Sequence, residues 1–127
     1  MAAPGIQQRG PADADQVPGL RQAATAFAAG FCDRETPAAV ALAVTEACAN
    51  VVCHAYPDGD GELDLRGWLD GGFVVFVIAD QGSGLTGVSR HKGLGMGLAL
   101  MHRLGDARIT SDGHGTCVEL RFPRSSP

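Results

Sequence analysis

The residues of this 127-residue chain best equipped for chemistry are Glu46, Asn50, Asp80, a run of glycines that begins at Gly82, and Thr116. Asp80 follows the apolar run Phe73-Val74-Val75-Phe76-Val77-Ile78 and precedes Gln81-Gly82-Ser83-Gly84. A carboxylate at the mouth of a buried strand is costly unless it is paired or hydrogen-bonded. Held there, it can accept a hydrogen bond from an amino group such as the exocyclic amine of adenine. Gly82 and Gly84 would let a flat ring approach the backbone. Taken alone, D-x-G-x-G is more often an ordinary strand-end turn.

Lys92-Gly93-Leu94-Gly95-Met96-Gly97-Leu98 leads into a helical pattern. Glycines at alternate positions expose backbone N–H groups, and the helix N-terminus adds partial positive charge, which together suit a phosphate. Lys92 is the only lysine of the chain and stands at the start of this loop, where it offers a point charge. The run has neither the strand–turn–helix order of a dinucleotide-binding fingerprint nor the G-x-x-x-x-G-K-[ST] phosphate loop, and a flexible loop with a solvated lysine has the same composition.

Glu46, Asn50 and His54 recur at i, i+4 and i+8 and share one helix face. Half-buried among Ala, Val and Cys, Glu46 suits a general base. Asn50 brings a neutral oxygen of the kind that completes a Mg²⁺ shell made otherwise of water and phosphate. His54 fits a helix end, where the macrodipole favours it. A wet helix face accounts for any one of them singly. In Gly113-His114-Gly115-Thr116, Gly115 allows close approach and the Thr116 hydroxyl can donate to a ligand; a hairpin turn is the plainer account.

These residues need elements to hold them. Leu20 to Phe31 carries helical spacing, and Thr36-Pro37 reads as an N-cap followed by a first-turn proline. A second helix from about Pro37 to His54 bears the stripe Val40, Val44, Ala47, Cys48, Val51 and Ala55. After Pro57–Gly61 the period changes to two, with Leu63 and Leu65 alternating against Glu62, Asp64 and Arg66. Asp70-Gly71-Gly72 predicts a hairpin turn into a central strand over 73–78. A buried helix is expected over 98–104, then strands over 107–111 and 117–122. The order predicts an α+β two-layer sandwich with helices on one face of a mostly antiparallel sheet. Residues 1–16 are expected to be disordered, 17–123 to form one domain, and 124–127 to be a short tail.

Lys plus Arg is 10 and Asp plus Glu 14, a net charge of −4. That balance argues against direct nucleic-acid binding and against an anionic membrane surface. No export signal and no apolar run near the roughly 18 residues of a span are read, so a cytoplasmic protein with Cys32, Cys48, Cys53 and Cys117 reduced in its core is expected. Glycine is 18 of 127, about double the average. Gly59, Gly61, Gly71 and Gly72 fit plain turns; Gly82, Gly84, Gly93, Gly95, Gly97 and Gly115 fit backbone approach to a ligand.

Taken together, E-x-x-x-N on a helix, D-x-G-x-G after a strand, G-x-G-x-G opening a helix and G-T before a strand resemble the N box and three glycine boxes of the GHKL ATPase superfamily. VTEACANVVCHAY and GLGMGLALM resemble the RsbW-type anti-sigma-factor serine-protein kinases. The resemblance implies a Bergerat-type sandwich binding ATP with Mg²⁺. It implies Glu46 as catalytic base, Asn50 as Mg²⁺ ligand, and Asp80 as reader of the adenine amine, with Gly82 and Gly84 lining the nucleotide. Lys92, Gly93, Gly95, Met96, Gly97 and Leu98 would surround the phosphates, and Thr116 would complete the adenine side. It further implies a serine on an anti-sigma-factor antagonist as phospho-acceptor, a sigma factor as the sequestered partner, and a homodimer. Arg21 on the first helix is a candidate partner contact. The chain departs from the pattern in having only Leu85–Lys92 between the first two glycine boxes, and no N-terminal strand is read. A non-catalytic ATP-binding interaction module of the same fold is the alternative, and a free-standing ATPase fragment of a sensor kinase a third possibility.

Overall fold

A computed structural model describes residues 5–56, 61–82, 106–112 and 115–125. Among the described residues, five strands form one antiparallel sheet: β1 (Ile6–Pro11), β2 (Glu62–Asp70), β3 (Phe73–Asp80), β4 (Asp106–Asp112) and β5 (Gly115–Pro123). Their order across the sheet is β1-β2-β3-β5-β4, so the apolar run 73–78 lies on the central strand as its composition predicts. The helices α1 (Val17–Ala29) and α2 (Thr36–Asn50) cover one face, and the architecture is the expected α+β sandwich.

Alternation decides which side chains face the helices. Leu63 and Leu65 on β2, Val74, Phe76 and Ile78 on β3, and Val118, Leu120 and Phe122 on β5 are buried against Leu20, Ala24 and Ala28 of α1 and Val40, Ala43, Val44, Ala47 and Cys48 of α2. The alanines bring the helices close to the sheet. Phe76 supplies the bulk at the centre, edge-on to Phe27 at 6.2 Å and to Phe122 at 6.3 Å between ring centroids. Its ring lies over Gly67, its partner across the β2–β3 ladder. A Cβ on Gly67 would come within 2.9 Å of that ring and 3.0 Å of Ile6. The opposite face is polar at its rims, where Asp64 meets Arg66 at 3.0 Å and Arg121 meets Asp70 at 3.0 Å.

Several expectations are corrected. Residues 6–11, read as disordered, form edge strand β1, paired with β2 from Ile6↔Gly67 to Pro11↔Glu62. An edge strand is held by backbone bonds, so its polar side chains give no periodic signal. At the other end, Arg124 and Ser125 of the expected short tail are tied to the body of the protein. The Arg124 N–H donates to the Gly72 carbonyl at 2.9 Å and the Ser125 N–H to the Phe31 carbonyl at 2.9 Å, while the Arg124 guanidinium lies 5.6 Å from the Phe31 ring centroid. Helix α1 begins at Val17 and ends at Ala29. Thr36 is the first residue of α2 and not its cap; Glu35 precedes it without a side-chain capping bond, and the Thr36 N–H donates to the Asp33 carbonyl at 3.0 Å. Thr36–Cys53 does reach the length and apolarity of a membrane span, but its apolar face packs on the sheet. Of the four free cysteines only Cys48 is fully buried, and burial pushes its thiol up to about 12; Cys53 is exposed. The helix expected over 98–104 lies outside the described residues.

Valine has the higher intrinsic strand propensity, yet Gly67→Val should destabilise the fold by about 1–3 kcal/mol, because the added methyls meet the Phe76 ring. Urea unfolding of the two proteins measures this; a gain in stability would show that the ring has room to move.

Candidate functional site

The site is built where the central strand ends. The antiparallel register places Asp80, last residue of β3, opposite Thr116 near the start of β5. Asp80 and Thr116 are the two buried polar residues among those described. Two backbone donors converge on one carboxylate oxygen: the Gly82 N–H reaches Asp80 Oδ1 at 2.9 Å and the Thr116 N–H reaches the same atom at 3.2 Å. Burial pushes the Asp80 carboxyl up from its ordinary value, and the two amides pull partly the other way. The second oxygen, Oδ2, accepts no hydrogen bond from the described residues. The result is a half-satisfied acceptor in a desolvated setting, a suitable partner for an N–H donor on a ligand.

The glycines around it are crowded by protein. A Cβ on Gly82 would collide with the Ala55 carbonyl, and one on Gly115 with the Asp80 carbonyl. Gly115 also has φ +151°, a backbone conformation that side chains rarely adopt. The sequence expectation is that both make room for a ligand. In the described structure they make room for backbone, and in doing so bring the end of β3, the start of β5 and the residues after α2 together. Gly61, expected to be plain turn chemistry, likewise lies against the Tyr56 ring, while Gly71, at φ +58°, is a true turn glycine.

Ala55 belongs to a single π turn, Val51–Ala55, that continues α2 beyond Asn50 and replaces the α-helical run expected to about His54. Such insertions recur at functional sites because they re-aim the residues C-terminal to them. Here the turn aims Ala55 and Tyr56 at the strand end. Tyr56 ends the VTEACANVVCHAY stretch but carries no role in that resemblance; its hydroxyl donates to the Glu62 carbonyl at 2.6 Å and accepts from the Gln81 N–H at 2.9 Å.

Glu46 and Asn50 stand one turn apart on α2, both half-buried beside the fully buried Ala43, Ala47 and Val51. No hydrogen bond joins either to Asp80 among the described residues. The Asn50 side-chain amide is distinctive: Nδ2 is buried and has no hydrogen-bond partner among the described residues. Leaving such a group unpaired costs about 1–3 kcal/mol, and an orphan of this kind is explained when a ligand or ion completes it. Which end of the amide is nitrogen is an assignment, so either end can be the one presented. Gly84, Lys92, Gly93, Gly95, Met96, Gly97 and Leu98 lie outside the described residues, as does the His54 side chain.

Comparison with known proteins agrees with the motif order. The family model of the histidine kinase-like ATPase domain matches residues 10–122. The serine-protein kinase RsbW of Bacillus licheniformis is 33% identical over 98 residues, which is 64% of this chain and 61% of that protein. The chain thus spans about three-fifths of the length of this curated relative.

The Asp80 environment makes a pH-dependent prediction. With its folded value raised, the carboxyl holds its proton more tightly in the folded protein than in the unfolded chain. Its contribution to stability is therefore full below the ordinary carboxylate range and is lost as pH rises through the raised value. Asn can accept both amides on one oxygen, as Asp80 does. Without nucleotide, Asp80→Asn should therefore melt no lower than the parent at pH 7, and its relative advantage should shrink as pH falls to about 4. Thermal melts across that range check the sign; a variant that is less stable at pH 7 and more stable at pH 4 would refute it.

Proposed function

Because the chain belongs to the histidine kinase-like ATPase family, we propose that it is an ATP-dependent serine-protein kinase. In this reading it phosphorylates an anti-sigma-factor antagonist and sequesters a sigma factor, acting in the cytoplasm. The observation that carries the ATP reading is the buried Asp80 carboxylate, held on Oδ1 by two amides with Oδ2 free of the described donors. Oδ2 accepts the N6–H of adenine there. Guanine would present an oxygen at that point and leave two acceptors facing each other, so the site selects adenine. Thr116 closes the same side, its backbone already committed to Asp80. Gly82 and Gly84 follow the carboxylate into the loop.

The phosphates belong at the other end of the site. In this reading Lys92, Gly93, Gly95, Met96, Gly97 and Leu98 contact the phosphates, with the lysine charge and glycine N–H groups offsetting their charge. With its amide turned so that the oxygen takes the unpartnered end, Asn50 fits a Mg²⁺ ligand: one neutral oxygen, with the remaining positions left to phosphate and water. When bound, Mg²⁺ neutralises charge on the transferring phosphoryl group. Glu46, one turn before Asn50 on the same face, accepts the proton of the attacking serine as its Oγ bonds to the γ-phosphorus and ADP departs. The partners of this reading are the antagonist's serine and a sigma factor, with a homodimer as the assembly.

Mg-ATP at about 100 times its Kd should raise the parent's stability by about 2.7 kcal/mol. With the cognate antagonist, the parent should form phosphoserine. Glu46→Ala should keep the ATP-induced thermal shift and lose at least about a hundredfold in transfer rate. Full transfer by that variant would remove Glu46 from the base role. A thermal shift without transfer to any antagonist would favour the non-catalytic binding module.

A further inference from the structure

Tyr56 occupies a position with a specific geometric meaning. In the β2–β3 ladder the last pair is Leu63↔Asp80, so the next residues in register are Glu62 and Gln81. The hairpin turns at Gly71–Gly72 between Asp70 and Phe73, which makes Asp70/Phe73 a hydrogen-bonded pair; hydrogen-bonded pairs then recur every second residue. Glu62/Gln81 has that parity. Continued regularly, the ladder would send the Gln81 N–H directly to the Glu62 carbonyl. The Tyr56 hydroxyl stands between those two groups, accepting from the first at 2.9 Å and donating to the second at 2.6 Å. A side chain from the end of α2 thus relays one rung of the sheet and opens the strands at that point.

The consequence falls on the residues immediately after Asp80. Freed from β2, the chain turns so that the Gly82 N–H closes onto Asp80 Oδ1 and the Gly82 Cα lies against the Ala55 carbonyl. Consecutive residues Ala55 and Tyr56 thereby hold consecutive residues Gly82 and Gln81. The ring itself is fixed from below: a Cβ on Gly61 would overlap the Tyr56 ring, so only glycine lets the ring lie where its hydroxyl reaches the rung.

We infer that Tyr56 is a positioning residue for nucleobase selection. By splitting the β2–β3 ladder one rung beyond Asp80, it sets the turn that fixes the Asp80 carboxylate and leaves Oδ2 facing the base. The inference rests on the reading of Asp80 as the acceptor for the adenine amine. It assigns nothing to Tyr56 at the phosphates, and that separation makes it testable.

Tyr56→Phe keeps the ring over Gly61 and removes only the relaying oxygen. Glu62 and Gln81 are exposed, so water can take up the two freed groups and the fold should persist. Calorimetric titration with Mg-ATP and, separately, with Mg-tripolyphosphate gives the readout. Affinity for Mg-ATP should fall about five- to tenfold, the scale of one hydrogen bond. Affinity for Mg-tripolyphosphate should stay within about twofold, which a general loosening of the protein would not allow. Unchanged ATP affinity, or equal weakening of both ligands, overturns the role of Tyr56 while the Asp80 reading stands. A parent that binds Mg-tripolyphosphate and ATP equally well removes the base-reading site, and this inference with it. Should the variant not fold, the intact fold supplies a second measurement. Tyr56 is the only tyrosine of the chain, so 3-fluorotyrosine incorporation labels that position alone. Its fluorine resonance should move with Mg-ATP and not with Mg-tripolyphosphate; movement with both, or with neither, overturns the inference.

Discussion

The structure turns on keeping one carboxylate, Asp80, at the buried end of the central strand. Desolvating an acid in this position is unfavourable, and the fold compensates with two backbone N–H groups on a single oxygen. Each of those donors has its own structural requirement. The Gly82 amide arrives only because the chain turns immediately after β3 and passes against Ala55. The Thr116 amide arrives because β5 begins opposite the end of β3 and Gly115 takes a conformation that admits close passage. Strand register, the π turn after α2 and the two glycines that flank the carboxylate thus meet at one electrostatic constraint.

The helical layer bears on the same point. α2 packs Val40, Ala43, Val44, Ala47 and Cys48 on the sheet, which commits Glu46 and Asn50 to the margin of that contact. They are neither fully in water nor in the apolar core, a setting in which a polar side chain can meet a ligand without being quenched by bulk solvent. The buried Asn50 nitrogen, without a hydrogen-bond partner among the described residues, leaves this margin open to a ligand. The chain belongs to the histidine kinase-like ATPase family, which implies ATP binding.

Much of this is legible in sequence, for identifiable reasons. A continuous apolar run stopped by an acid reveals a central strand and where it ends, and a 3.6-residue stripe with Glu46 and Asn50 on one flank reveals how α2 faces the sheet. The features that escape are carried by backbone. Strand β1 pairs through amides and carbonyls, so Gln7, Gln8 and Arg9 advertise nothing. Gly82 and Gly115 announce close approach but not the group that approaches, and protein backbone crowds them where a ligand is expected. The role of Tyr56 is invisible because its partners lie 6 and 25 residues away and are main-chain groups, which have no residue type to recognise.

The bonds that define the strand end also fix when it can exist. Asp80 reaches Thr116 across 36 residues, and Tyr56 reaches Gln81 across 25. Such closures cost chain entropy that is recovered only when the intervening strands have paired. The carboxylate pocket therefore forms late, with the cooperative folding of the whole sheet. A ligand that recognises it stabilises only the completed protein and gives no foothold to a partly folded chain.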